Sequence, residues 1–144
     1  MRRYVFAVLA YLVPTFALGF VWHLVLFQSY YDALGIYRRD IIIPFGFLSM
    51  LIQGAIFAWM YEKAFAAVRG SLPSRALRYG VAGAALSWSF TTLAVAAKNV
   101  MASVPAYLLI ETAFTIVQWA LVAPLTAMSA SRSSRYEGRV GIAG

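Results

Sequence analysis

Apolar residues come in four long blocks, Tyr4 to Phe27, Ile41 to Tyr61, Tyr79 to Ala97 and Tyr107 to Met128, separated by short polar connections. Each block has close to the roughly 20 residues that an α-helix, rising about 1.5 Å per residue, needs to cross a hydrocarbon layer of about 30 Å. The pattern predicts an all-α fold, a four-helix transmembrane bundle over residues 1–128. Residues 129–144, rich in Ser, Arg and Gly, are expected to form a flexible basic cytoplasmic tail, because they hold too little apolar content to order themselves.

Composition strengthens this picture and removes alternatives. The chain has 144 residues, 62% hydrophobic and 12% charged, with a mean hydropathy of +0.76. Soluble domains average about 25% charged, so a water-soluble core is not expected. The net charge of +7 lies at the block ends, where it would meet anionic lipid headgroups, and no nucleic-acid partner is expected. Without cysteine the chain has no disulfide, thiolate metal site or thiol nucleophile, and its single histidine excludes a bis-histidine haem from this chain alone. The start, Met1-Arg2-Arg3 followed by an apolar run, has the outline of a signal peptide, but the run to Phe27 is too long for one and is read as a retained span.

Basic residues orient the spans. Nine Lys and Arg fall at the N-terminus, in the second connection and in the tail, against three, Arg38, Arg39 and Lys98, in the other two connections. The positive-inside rule then places both termini in the cytoplasm, with the Gln28 to Asp40 loop and the Asn99 to Ala106 turn outside. Aromatic residues cluster where an interfacial belt would put them, and Tyr30, Tyr31, Tyr37 and Trp59 are expected as anchors. Tyr30, Leu34 and Tyr37 also have the spacing of a short interfacial helix.

Helices in lipid associate through small and polar residues. Gly80, Ala84, Ser87, Thr91 and Lys98 repeat at helical spacing in the third block. Gly46, Ser49 and Gln53 share a face in the second, and Glu111, Thr115, Gln118 and Val122 share one in the fourth. Pro14 and Pro124 are expected to bend their helices. The fragments Ile52–Trp59 and Val117–Pro124 align with Gln and Ala in register, which suggests two repeated helical hairpins.

Ionisable groups inside a span are costly and usually have a partner. Glu111, about one turn inside the outer end of the fourth block, is the clearest. His23, about one turn from the outer end of the first block, and Lys98, where the third block ends, fall in the same leaflet, so His23, Lys98, Glu111, Thr115 and Gln118 form the candidate polar site. Its two readings are a small outward-opening site, with Lys98 as counter-charge to Glu111, or interfacial residues that snorkel and pair among themselves, Glu111 with Lys98 or Thr115. No catalytic set and no metal ligand set are found. No cofactor is expected, though a lipid or hydrophobic ligand among Trp22, Trp88 and Trp119 remains open.

The run Leu18-Gly19-Phe20-Val21-Trp22-His23-Leu24-Val25-Leu26-Phe27, followed by an aromatic stretch and Leu34-Gly35, resembles the first span of a family of small bacterial four-helix membrane proteins of unknown function. The likeness covers about the first 60 residues. It implies a bacterial inner-membrane protein and no activity. The leading expectation is therefore a non-enzymatic accessory or scaffold subunit, packing as a homo-oligomer or with other membrane subunits. The alternative is a small transporter or channel, with or without proton coupling, built on the polar cluster.

Overall fold

The computed structural model describes residues 2–38 and 40–140, with side chains described for 3–38 and 40–130. The regular structure of these residues is all helical, with no strand among them. α1 (Arg2–Val21) continues through a π-helical turn, Trp22–Leu26, and α2 (Gln28–Leu34) follows. α3 (Ile43–Met60) continues through Tyr61–Phe65, and α4 (Leu72–Ser87) through Trp88–Leu93 into α5 (Ala94–Lys98). α6 runs from Val104 to Val140. Four helical runs, Arg3–Leu26, Ile43–Phe65, Leu72–Lys98 and Val104–Ala130, are long and apolar enough to cross a membrane.

Local chemistry sets these ends. Ser71 Oγ accepts the Ser74 amide at 3.4 Å and Pro73 follows at the first turn, so the third run begins at Leu72 and not at the apolar Tyr79. Ser103 Oγ accepts from the Ala106 amide at 3.3 Å where α6 starts. Gly35 closes α2 at φ 72, a left-handed conformation in which its amide reaches the Asp32 and Tyr31 carbonyls. Arg75 caps the second run by donating from Nη1 to the Ala66 carbonyl at 2.8 Å. Pro14 and Pro124 both lie within continuous helix. Helical backbone extends to Val140, through part of the segment expected as a tail, and residues 141–144 lie outside the described residues.

The helices pack in the order α3, α1, α6, α4. α6 is the most enclosed, with 39% of its apolar window buried, against 11% for the third run. Contact between the first and fourth runs is extensive, whereas the second and third meet chiefly at the end that carries Lys63 to Arg78, the basic end. Two equivalent hairpins would repeat the first contact in the second, so the packing is not that of a symmetric pair.

At the basic half the core is aromatic and closed. Tyr11, Phe57, Tyr61, Tyr79 and Trp119 pack with Val122, Ala123 and Ala127. Trp119 is the keystone: its indole lies directly on Gly83 and its Nε1 donates to Ser87 Oγ at 2.6 Å. Any side chain at Gly83 would occupy the space of that ring. Of the expected packing residues, Gly80 faces Ala123, Ser87 holds Trp119, Ala84 lies against the core and Gln53 accepts from Tyr11 Oη at 2.8 Å.

Candidate functional site

Toward the other end, the loop end, α3 diverges from α4 and α6, and a cavity of about 480 Å³ opens between them. The first run contributes Thr15, Gly19 and His23, α3 contributes Gly46, Ser49 and Gln53, and α6 contributes Glu111, Phe114 and Gln118. Ser87 and Thr91 reach it from the third run, and Tyr37 and Arg38 from the connection after α2. Its walls are mostly apolar, with Phe16 and Phe47 meeting edge to face at 5.7 Å. The polar groups concentrate on the α1 and α6 side and along Ser49 and Gln53.

Glu111 is the centre of the polar side. It is 8% exposed, and one carboxyl oxygen, Oε1, accepts from Tyr31 Oη at 2.6 Å and lies 3.3 Å from His23 Nε2. The His23 ring is fixed from its far side, where Nδ1 lies 2.9 Å from the Gly19 carbonyl, and it packs edge-on to Phe114 at 4.5 Å. A carbonyl can only accept, so Nδ1 carries a proton. A hydrogen bond between Nε2 and Oε1 then needs one further proton, on the imidazole or on the carboxyl. The pair has the geometry to share one proton beyond a neutral imidazole and a carboxylate. The other oxygen, Oε2, accepts from no described side chain, and it is not among the sealed, partnerless polar atoms of the described residues.

α2 delivers Tyr31. Its Leu34 carbonyl accepts the Ala102 amide at 2.9 Å and Tyr30 Oη donates to the Ala106 carbonyl at 3.3 Å, which clamps the short helix over the α6 start. Burial beside the Glu111 carboxyl pushes the Tyr31 phenol well above its ordinary range. Tyr37, stacked on Tyr31 at 5.0 Å and 16°, is pushed up for the same two reasons. Both phenols therefore stay protonated near neutrality and stabilise the site as donors or neutral walls.

Several expectations need correction. Tyr31 is not an interfacial anchor: it is fully buried and bound to Glu111. The buried face of the loop helix is Tyr31 and Leu34, because docking on the α6 start selects it, and Tyr37 lies beyond the helix. Tyr30, Tyr37 and Trp59 keep 38%, 38% and 56% exposure. Lys98 does not pair with Glu111. It ends α5 exposed, while Tyr31 and His23 take the carboxylate. Thr115 Oγ1 donates to the Glu111 backbone carbonyl at 2.8 Å and not to its carboxylate, the normal reach of a helical threonine. Gln118 is buried and donates to Thr15 Oγ1 at 3.3 Å on the cavity wall.

Trp22, Trp88 and Trp119 form no common pocket. Trp22 packs on Phe27, Trp88 donates to Thr112 at 3.0 Å, Trp119 is in the closed core, and none of them lines the cavity. No group of three His, Asp or Glu among the described residues is placed to hold a metal ion. His23 sits in one π-helical turn and Thr91 in another, and such wide turns often mark functional positions. No known family model matches this chain, and neither a curated protein nor a solved structure does.

Proposed function

We propose that this is a multi-pass membrane protein of the bacterial inner membrane, with both termini cytoplasmic, whose function lies in binding and carrying a small amphipathic molecule through the cavity at the loop end. The observation that carries the reading is the cavity itself, about 480 Å³ and reaching a nine-tenths buried carboxylate. That volume is within the range of about 300 to 1,000 Å³ typical of small-molecule sites, as are the apolar walls and the few convergent polar groups. A bundle that only needed to pack would gain by closing the gap. The basic half of this one does so with five aromatic rings. The role is non-enzymatic: the polar side offers a proton and an acceptor, and no nucleophile with its own base.

A scaffold or accessory role is the second reading, favoured by the third run, which leaves Leu77, Val81 and Phe90 outside with only 11% of its window buried. Those residues could cover another membrane subunit or a second copy as readily as lipid.

Gly46 lines the cavity and a Cβ there meets nothing within 4 Å, so Gly46→Phe is the variant chosen to occlude it. Thermal unfolding in lipid nanodiscs, with a panel of ammonium, carboxylate and neutral compounds of similar apolar body, tests the reading. At saturating compound at least one class should raise Tm by roughly 5 °C in the wild type and leave Gly46→Phe unchanged. A panel without effect on the wild type would contradict a binding role.

A further inference from the structure

The 3.3 Å contact of His23 with Glu111 and the unclaimed Glu111 oxygen point to what the cavity is built to hold. We propose that its ligand is an amphipathic monocation, and that the cation enters in exchange for the proton held between His23 and Glu111. This rests on the binding reading above.

The charge argument has three parts. Among the described residues Glu111 is the only carboxylate on the cavity wall, and Oε2 is an acceptor that no described side chain uses. Arg38 also lines the cavity but is exposed, so solvent and salt screen it, whereas the Glu111 charge left once the shared proton departs is buried and screened little. The faces of Phe16, Phe47 and Phe114 add the surface that a weakly hydrated organic cation prefers. An anionic ligand would find a carboxylate at the deep end, and a neutral one would leave Oε2 unused.

The exchange balances. Before binding, the pair is an imidazolium with a carboxylate, or an imidazole with a carboxylic acid, and is neutral in sum. A cation placed against the carboxylate makes the extra proton unfavourable, and it leaves from Nε2 or the carboxyl to water. His23 stays neutral with Nδ1–H on Gly19, and Glu111 stays anionic against the ligand. One positive charge enters and one leaves. The other groups facing the pair do not compete for that proton. Tyr31 and Tyr37 remain neutral phenols, Tyr107 Oη donates to the Thr91 carbonyl, Gln118 and Thr115 carry no ionisable group, and Arg38 is an exposed guanidinium.

The test uses phenyltrimethylammonium and its neutral isostere tert-butylbenzene, titrated calorimetrically into nanodisc-held full chain between pH 6 and 8. Gly46→Phe nanodiscs give the lipid background. The cation should release about one proton, read from heats in buffers of different ionisation enthalpy, and its affinity should climb by up to tenfold per pH unit. The isostere should bind with no proton release and no pH slope. Glu111→Gln should weaken the cation by about 30-fold or more and leave the isostere within about threefold. His23→Gln should keep a folded, cation-binding site with a reduced proton count. Cation binding without proton release, or cation affinity unchanged in Glu111→Gln, would overturn the exchange while the cavity reading stands. Failure of both compounds to bind above the Gly46→Phe background would overturn both.

Discussion

The two halves of the bundle use the same kinds of residue for opposite ends. In the basic half, Tyr11 and Tyr79 spend their hydroxyls on Gln53 and on the Phe57 carbonyl, and their rings fill the space between helices. In the loop half, Tyr31 spends its hydroxyl on a carboxylate beside a histidine, and the neighbouring space is left open. A small bundle gains most from packing, so an unfilled volume beside a buried ionisable group is costly to keep. That cost is a reason to look for function there and stability elsewhere.

The contrast can be broken at its closed side first. Gly83→Ala should have the largest effect, about 3 kcal/mol, because its methyl would displace the Trp119 ring and with it the bond to Ser87. Reversible unfolding in mixed micelles measures it. Ser87→Ala, which leaves a buried indole N–H without its acceptor, should cost about 2 kcal/mol in the same assay. Tyr31→Phe should cost about 1.5 kcal/mol and weaken cation binding, since it removes a donor to the carboxylate and unclamps nothing else. On the open side, Gly46→Ala and Ser49→Ala should change stability by less than about 0.5 kcal/mol. If those two destabilise as much as Ser87→Ala does, the halves are not different in the way described.

Much of this architecture was legible in the sequence. The apolar blocks located all four long helices, and depth along them brought His23 and Glu111 to one level, where they meet at 3.3 Å. The third block was placed to begin at Tyr79, because its first two turns, Leu72 to Arg78, are too polar to register as apolar; the Ser71 cap and Pro73 were the available signal. Lys98 shares that leaflet yet ends α5 exposed, and depth along a helix does not fix rotation about its axis. Tyr31 was misjudged because one aromatic among several near a membrane surface looks like an anchor, and only the docking of α2 on the α6 start turns it inward. Gly83 was missed because its importance lies in a ring 36 positions away. The cavity has no signature of its own, since it arises from the divergence of α3.

Chemical access across the bundle tests the central claim most directly, and the absence of cysteine from the chain gives it a clean background. Single cysteines at Ser49 in the cavity, Thr126 in the closed core and Ile56 on the outer apolar face would be exposed, in intact cells, to a membrane-impermeant cationic thiol reagent. Ser49→Cys should be modified rapidly from outside and protected by phenyltrimethylammonium, while Thr126→Cys and Ile56→Cys stay unmodified. A Ser49→Cys protein as inert as Thr126→Cys, or one modified only after the membrane is broken, would contradict a cavity that opens outward.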